Sequence, residues 1–312
     1  MTANPTSAAE DRLIIGSRTF DAPRELVFHA WSDAAHLARW WGPKGFTLTT
    51  SQFEFRPGGV WEFVMHGPDG RDYSNRIVYS AIDPPSRIAY SHTTGPLFDA
   101  EATFEERDGR TTVTMRMTFP TAELRHHVVE EFGAIEGLHQ TLGRLADLLA
   151  ETPVFELTRE LDAPRDLVWA AWTDEQHLTN WWGPVGLKMQ SLTNDFRPDG
   201  MMHFGMSSAN GPMMWGRWIY REIVPPERLV FVSSFSDEQG GITRAPFAGD
   251  WPLEMLGIVT LTETAGRTTV RLRSLPLNAS ESERNTFHAG FASMRGGWGA
   301  SLDQLAAYLG QV

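Results

Sequence analysis

The sequence predicts an α+β protein built from two similar domains, and a tandem repeat carries most of this prediction. A segment that begins at Asp21 recurs at Asp162, and the motif Trp-Trp-Gly-Pro occurs at 40–43 and again at 181–184, so one offset of 141 residues explains both. A repeat this long describes whole domains rather than the short units of a solenoid. Within each copy the residue patterns predict a strand, two short helices, about six further strands and one long helix.

The predicted domains span residues 12–150 and 154–311, and each begins with the same elements. In the first copy a predicted strand over 13–20 is followed by Asp21, a residue type that caps helix N-termini, and a proline follows in the first turn. Asp33 is the expected N-cap of a second short helix, which ends at the Gly-Pro of the Trp-Trp-Gly-Pro motif. The second copy repeats these signals.

The middle and the end of each copy differ in periodicity. Between Phe46 and Phe119, short β-branched and aromatic segments alternate with Pro-Gly-Gly, Asp-Pro-Pro and Asp-Gly turns, which predicts antiparallel strands. After Pro120 the apolar residues follow helical spacing, so one long C-terminal helix is expected in each copy. Both helices contain interior glycines at a cost of about 1 kcal/mol each relative to alanine, which predicts a close approach to the sheet or a bend.

The second copy carries an extra segment. A Gly-Arg-Thr-Thr-Val motif occurs at 109–113 and again at 266–270, so the offset has risen from 141 to 157 residues. The sixteen additional residues fall between about Ser234 and Leu256. This segment is rich in glycine and proline, and we expect it to form a lid over the second domain.

Composition limits the classes of function. The chain has 27 Lys plus Arg against 39 Asp plus Glu, and a formal net charge of −12 would repel a phosphate backbone, so no nucleic-acid partner is expected. It has no cysteine, which excludes disulfides, thiolate nucleophiles and cysteine-bound metals. The first residues lack the features of a signal peptide, and no apolar run is long enough for a membrane helix. We expect a cytoplasmic protein without membrane insertion.

No common catalytic or metal motif is present. The histidines do not have metal-ligand spacing, so neither a metal nor a cofactor is expected. His66, His92 and His203 lie on predicted strands and are the candidate acid–base groups if the protein is an enzyme. None of the three is repeated at the same place in the other copy, which favours a protein without catalytic residues.

One charged position is repeated. Arg76 and Arg217 occupy equivalent places on strands with apolar neighbours. Each arginine either pairs with a carboxylate such as Glu62 or anchors an anionic group of a ligand.

The paired tryptophans are the most distinctive feature. Adjacent helical residues diverge by about 100°, so one tryptophan of each pair can fill the core while the other borders a cavity or a partner. Phe63 and Met65 in the first copy alternate on one sheet face, as Phe204 and Met206 do in the second, and these four form either plain core or a cavity wall.

These motifs resemble one protein family over nearly the whole chain. Asp-Ala-Pro-x-x-Leu-Val at the first helix, Leu-x-x-Trp-Trp-Gly-Pro at the second, Phe-Arg-Pro-Gly-Gly with Trp61, and the ending Leu-Gly-Arg-Leu-Ala-Asp-Leu-Leu are similar to the activator of heat-shock-protein-90 ATPase homologue family of the SRPBCC, or START-like, superfamily. The resemblance implies two helix-grip domains, each a curved antiparallel sheet wrapped around a long C-terminal helix with an apolar cavity between them.

The resemblance implies a function without fixed chemistry. Relatives bind lipids, sterols, polyketides or other hydrophobic molecules, so the leading hypothesis is binding of a hydrophobic small molecule, with one cavity in each domain. The alternatives are an enzyme of cyclase or hydrolase type and a co-chaperone-like module that binds a chaperone or another protein. The candidate ligand-binding residues are Trp41, Phe63, Met65, Arg76 and His92 in the first domain, and Trp182, Phe204, Met206, Arg217 and Trp218 in the second.

Overall fold

The computed structural model describes residues 10–312, which form two compact units separated in sequence between Glu151 and Thr152. Each unit contains one seven-stranded antiparallel sheet and four helices within these residues. The α+β class and the helix-grip layout are therefore confirmed. The two units are described separately below as the first and the second domain.

The first domain follows the predicted element order. Its elements are β1 (Leu13–Phe20), α1 (Arg24–His29), α2 (Ala34–Trp40), β2 (Thr47–Phe53), β3 (Val60–His66), β4 (Asp72–Asp83), β5 (Arg87–His92), β6 (Phe98–Arg107), β7 (Arg110–Thr118), α3 (Ala122–Phe132) and α4 (Ala134–Ala150). The sheet has the order β1-β7-β6-β5-β4-β3-β2, so the first strand pairs with the last and the rest form a meander.

The second domain repeats this topology. Its elements are β8 (Phe155–Leu161), α5 (Arg165–Thr173), α6 (Glu175–Trp181), β9 (Lys188–Asn194), β10 (Met201–Ser207), β11 (Met214–Val224), β12 (Arg228–Ser236), β13 (Glu254–Thr264), β14 (Arg267–Leu277), α7 (Glu281–Ala289) and α8 (Phe291–Leu309). The sheet order β8-β14-β13-β12-β11-β10-β9 matches that of the first domain position by position. The extra segment joins β12 to β13.

The short helices are capped in two different ways. Asp33 caps α2 as predicted, because its carboxylate accepts the backbone N–H of His36 at 3.0 Å. The prediction that Asp21 caps α1 is wrong, since Pro23 occupies the N-cap and makes no side-chain cap. Glu106 from β6 instead accepts the backbone N–H of Arg24 at 2.9 Å. A carboxylate from the sheet thus satisfies the exposed end of the helix.

The C-terminal helix of each domain is divided into two. In the first domain Gly133 has a φ of 59°, in the left-handed region, and the chain turns there between α3 and α4. In the second domain the break falls at Gly290, where an added Cβ would lie 2.8 Å from the ring of Trp251. The prediction of one continuous helix is wrong at these two glycines, which provide the bend and the close approach expected of interior glycines.

The first tryptophan of each pair fills the core. Trp40 and Trp181 are buried, and their indole N–H groups donate to the carbonyl oxygens of Ala30 at 3.0 Å and Ala171 at 2.8 Å. These bonds join the two short helices of each domain. The second tryptophan of each pair is then left to face the space between sheet and long helix.

Candidate functional site

The second domain contains a cavity of about 340 Å³ between its sheet and α8. The volume lies at the lower end of the range for small-molecule sites. The lining residues come from the end of α6, from β10 to β14, from α8 and from the extra segment: Trp182, Gly183, Pro184, Phe204, Met206, Met214, Trp215, Gly216, Trp218, Ser233, Ser234, Phe235, Phe247, Trp251, Met255, Ser274, Met294, Gly297, Trp298 and Ser301. None of these residues is charged or titrates near neutral pH.

Aromatic rings set the shape of the cavity. Trp218 lies flat on Phe231, with ring centroids 3.8 Å apart and an interplanar angle of 14°. Trp182 stands nearly perpendicular to Trp218 at 4.7 Å, and Phe204 is perpendicular to both tryptophans. Trp298 of α8 faces Trp182 at 5.3 Å. Edge-to-face contacts of this kind fix the orientation of each ring, so the walls are largely preformed.

A glycine of the Trp-Trp-Gly-Pro motif places Met206 in the wall. Gly183 has a φ of 123°, and a Cβ there would lie 2.7 Å from the sulfur of Met206. Met214, Met255 and Met294 also line the cavity. Methionine side chains are flexible and polarisable, and they form favourable contacts with aromatic rings. The rigid aromatic wall is therefore combined with an adaptable one.

The extra segment, defined here as residues 237–253, closes one side of the cavity. Phe247 lines the cavity although it is 64% exposed, and it contacts both Phe235 and Trp251 at 5.5 Å. Trp251 is buried, and its indole N–H donates to the sulfur of Met255 at 3.2 Å. The position agrees with the predicted lid. Whether the segment opens stays a prediction.

The lid segment is attached to α7 by polar contacts. Arg244 forms a hydrogen-bonded ion pair with Glu283, and its guanidinium also donates to the carbonyl oxygen of Trp251 at 3.1 Å. Ser282 donates to the carboxylate of Asp250 at 2.9 Å. Although burial raises the pKa of Glu283, its hydrogen bonds to Arg244 and Ser280 together hold that pKa below its usual range.

The first domain contains a much smaller gap, deeper in its aromatic core. The gap bounded by Trp31, Trp41, Trp61 and Tyr90 has a volume of about 10 Å³, which is close to the minimum for a single water molecule. Trp41 and Ile77 are the residues of its lining that correspond to lining residues of the second-domain cavity, namely Trp182 and Trp218. The expectation of an equivalent cavity in the first domain stays a prediction.

Three cross-strand positions differ between the domains. Asn75, His92 and Phe98 of the first domain occupy the register positions of Gly216, Ser233 and Met255 in the second. His92 is buried, and its ring stacks on Phe98 at 4.8 Å. Its Nδ1 donates to the carbonyl oxygen of Pro96 at 2.8 Å, and its Nε2 lies 2.9 Å from the side-chain oxygen of Asn75. Burial lowers the pKa of His92, although the hydrogen bond to Pro96 acts in the opposite direction.

The long helix of the first domain contacts the sheet closely at one point. A Cβ on Gly16 of β1 would lie 2.6 Å from a methyl carbon of Leu138 in α4, so the helix rests directly on the backbone of the strand. The second domain has Leu157 at the equivalent place in β8. A Cβ on Gly297 of α8, which lines the cavity, would meet no atom within 4 Å.

The predicted site residues divide between cavity and core. Trp182, Phe204, Met206 and Trp218 line the cavity of the second domain. In the first domain Trp41 borders the small gap. Phe63, Met65 and His92 do not line it. Phe63 stacks on Trp61 at 4.0 Å, the methyl group of Met65 lies against Gly42, and His92 stacks on Phe98.

Arg217 is not among the residues that line the cavity of the second domain, and Arg76 is not among those that line the gap of the first. Arg76 bonds to Glu62 at 3.2 Å, which is the pairing that the sequence offered as an alternative. Arg217 donates to the carbonyl oxygen of Gly240 at 2.8 Å and so supports the lid segment. Both arginines alternate with cavity-facing or core residues along their strands, which places them on the other sheet face.

His66 and His203 also lie away from the cavity. His66 is hydrogen-bonded to Asp72 at 2.7 Å and to Thr49 at 3.0 Å. His203 contacts the carbonyl oxygen of Asp237 at 3.1 Å and stacks on Trp215. Neither histidine is in a position to exchange a proton with a molecule in the cavity.

Sequence reasoning missed several lining residues. Met255, Met294 and Trp298 were absent from the candidates, and so were the hydroxyls of Ser233 and Ser301. A signal was present in the repeat, because Gly216 and Ser233 replace the larger Asn75 and His92 of the first copy. Two losses of volume at neighbouring positions of one copy indicate an enlarged space there.

A second depression, of about 440 Å³, lies on the first domain's sheet and is lined by both polar and apolar residues. Three of its polar side chains have partners within the protein: Ser91 donates to Asp99 at 2.6 Å, and Glu101 accepts from Arg87 at 2.6 Å. Across residues 10–312, no group of three or more His, Cys, Asp or Glu side chains could hold a metal ion. Within the same range, no helix has the length and apolar character needed to cross a membrane.

Comparison with known proteins gives a family and a set of structures. The family model described as "Activator of Hsp90 ATPase homolog 1-like protein" matches residues 21–150 and 162–310. A solution structure of a protein from Staphylococcus epidermidis is 29% identical, covering 45% of this chain and 90% of its own, with a TM-score of 0.41. A crystal structure from Mycobacterium smegmatis is 27% identical, covering 45% of this chain and 92% of its own, with a TM-score of 0.42.

One similar structure extends over both domains. The di-domain ARO/CYC BexL from the BE-7585A biosynthetic pathway covers 96% of this chain and 98% of its own, at 14% identity and a TM-score of 0.36. No curated protein matches the chain.

Proposed function

Since both copies in this chain belong to the Activator of Hsp90 ATPase homolog 1-like family, we propose that the protein binds an uncharged, apolar small molecule and that the second domain holds the site. The observation that carries this proposal is the cavity of about 340 Å³ between the sheet and α8 of the second domain, which has no charged side chain among the described residues that line it.

The lining supports an uncharged ligand. Moving a charge out of water without a partner costs several kcal/mol or more, and no charged side chain of the described residues lines the cavity. The wall combines aromatic and methionine side chains with a few serine hydroxyls. Small-molecule sites typically have such an apolar lining with a small number of polar groups.

The same lining favours binding over acid–base chemistry. General acid–base catalysis requires a titratable side chain within about 3 Å of the proton it transfers. The described residues bring no such side chain to the cavity wall, and the candidate histidines His66 and His203 lie on the other face of their sheets. Binding accounts for the cavity without a reacting group.

The test reduces the volume of the cavity by a substitution in α8. Gly297→Leu adds a side chain where a Cβ meets no atom within 4 Å, so the helix should tolerate it while the cavity loses volume. Gly296→Leu is the matched control, since Gly296 has equally open surroundings but does not line the cavity. The probe is N-phenyl-1-naphthylamine, which is neutral and fluoresces in apolar surroundings.

We expect Gly297→Leu to weaken probe binding by about tenfold or more, equivalent to ~1.4 kcal/mol, and Gly296→Leu to leave it unchanged. Equal binding by the two variants would contradict the proposed site. Native mass spectrometry of freshly purified protein provides an independent check, because a neutral co-purifying molecule should be present in the wild type and depleted in Gly297→Leu.

A further inference from the structure

We propose, building on the function proposed above, that the ligand of the second domain is a neutral aromatic molecule with a hydroxyl or N–H group that donates a hydrogen bond to Ser301 and Ser233. The inference concerns the direction of the hydrogen bond as well as the shape of the ligand. It depends on what the lining hydroxyls already do within the protein.

The hydroxyl group of Ser301 already donates its hydrogen bond within the protein. Its Oγ lies 3.0 Å from the carbonyl oxygen of Gly183 and 3.1 Å from that of Gly297. Carbonyl oxygens only accept hydrogen bonds, and a serine hydroxyl has one hydrogen to give. Ser301 is buried and lines the cavity, so the capacity it has left for a ligand is that of its lone pairs.

Ser233 also donates its hydrogen bond within the protein. Its hydroxyl donates to the carbonyl oxygen of Met255 at 3.3 Å, and it also lines the cavity. Two lining hydroxyls, one from the helix and one from the sheet, therefore accept rather than donate. Ser274 also lines the cavity and can take either role, so it does not discriminate between donors and acceptors.

The other polar atoms near the cavity do not reverse this preference. The indole N–H of Trp182 is enclosed by protein atoms and has no hydrogen-bond partner in residues 10–312, so it is not offered to a ligand. Ser234 also lines the cavity, and its buried hydroxyl has no hydrogen-bond partner among the residues that the structure describes, so it can donate or accept. Its pairing in register with Arg217 places its side chain on the sheet face opposite to that of Ser233. The two lining hydroxyls whose direction is known, Ser301 and Ser233, are both left as acceptors.

The rings favour a planar partner. Trp182, Trp218 and Phe204 are mutually perpendicular, so together they present both faces and edges to the space between them. An aromatic ligand can stack on one ring while it meets the edge of another, which is the geometry that aromatic pairs prefer. An aromatic ring that carries O–H or N–H satisfies the rings and the serines together.

The experiment compares three compounds that share one ring system. Competition with N-phenyl-1-naphthylamine gives the affinity of 2-naphthol, a donor, of 2-methoxynaphthalene, which only accepts, and of 2-naphthoate, which is charged. We expect 2-naphthol to bind about tenfold more tightly than 2-methoxynaphthalene, because the ether leaves the serine lone pairs unsatisfied. We expect 2-naphthoate to bind more weakly than both.

Variants of the two serines test whether the preference for 2-naphthol over 2-methoxynaphthalene arises in the cavity. Ser301→Ala and Ser233→Ala should each reduce the ratio between the two neutral compounds, and the double variant should bring it close to one. Because Ser301 also joins α8 to Gly183, the binding of 2-methoxynaphthalene serves as the measure of an intact cavity in each variant. Thr141→Ala is the matched control, since Thr141 donates to Gly137 at 2.8 Å at the equivalent place in the first domain and should leave the ratio unchanged.

The outcomes separate this inference from the proposed function. Equal affinity for the two neutral compounds in the wild type overturns the inference, and so does tighter binding of 2-naphthoate. In both cases the proposed site still stands if Gly297→Leu weakens binding. If no compound competes with the probe and Gly297→Leu has no effect, the proposed function itself is wrong, and the inference falls with it.

Discussion

The ring of Phe204 rests on Gly216, so closely that a Cβ on this glycine would lie 2.7 Å from the ring. The two residues face each other across β10 and β11, and both line the cavity. In the first domain the same pair is Phe63 and Asn75. The glycine thus determines where the aromatic wall of the second domain stands.

Replacement of this glycine should disturb both stability and binding. Gly216→Ala would force Phe204 away from the sheet and into the cavity, and overpacking of this kind typically costs about 1–3 kcal/mol of stability. We expect a lower urea midpoint and weaker binding of N-phenyl-1-naphthylamine. Gly249→Ala is the control, because a Cβ at Gly249 meets no atom within 4 Å. Wild-type values for both properties in Gly216→Ala would show that Phe204 can move without consequence.

Release of the lid segment should accelerate ligand exchange. Arg244→Ala removes the ion pair with Glu283 and the hydrogen bond to Trp251, which attach residues 237–253 to the rest of the domain. We expect the probe to dissociate several-fold faster, as measured by stopped-flow fluorescence, because lid opening often limits release. Arg221→Ala, which breaks the exposed pair with Asp199, should leave the rate unchanged. An unaltered rate in Arg244→Ala would indicate that the segment is not a lid.

The buried His92 should make the stability of the first domain depend on pH. Burial lowers its pKa in the folded protein relative to about 6.5 in the unfolded chain. The unfolded state therefore binds more protons in mildly acidic solution, so stability is fully present above about pH 6.5 and is lost as the pH falls through the folded pKa. An NMR titration of the His92 ring checks the sign. A midpoint at or above 6.5 would mean that the contacts with Pro96 and Asn75 outweigh burial.

The first domain should gain space for a ligand when the side chains at 75, 92 and 98 are made smaller. The triple variant Asn75→Gly, His92→Ser, Phe98→Met gives the first domain the residues that stand at these register positions in the second. Large-to-small changes of this kind cost a few kcal/mol and can leave a cavity. We expect the binding stoichiometry of N-phenyl-1-naphthylamine to rise by one relative to the wild type. An unchanged stoichiometry in a folded variant would contradict the idea that these three side chains limit the space for a ligand in the first domain.

Local patterns in the sequence predicted most of the fold, because caps, turns and apolar spacing act over a few residues. Asp33 caps its helix as its position indicated. The same reasoning failed at Asp21, since the partner that caps α1 is Glu106, far away in the chain. The residues next to a helix in the sequence do not indicate that a carboxylate from a distant strand will cap it.

The cavity was less predictable for a related reason. The residues at 182, 204, 206 and 218 could be placed toward it by strand alternation and by the paired tryptophans. The size of the cavity depends on how several side-chain volumes add up across strands that are distant in sequence. Periodicity alone also left two partners open for the repeated arginines, a carboxylate or a ligand, whereas in the structure they bond to Glu62 and to the carbonyl of Gly240.

The glycines of α8 affect the two ends of that helix differently. A Cβ on Gly296, Gly297 or Gly299 would meet nothing within 4 Å, so tertiary contacts at these positions do not offset the backbone freedom of glycine. Leu305 and its buried neighbours hold the last turns against the domain. In amide hydrogen exchange, the first turns of α8 should therefore lose protection well before the last ones. The half of the helix that borders the cavity is then the half that opens by local unfolding, without unfolding of the domain.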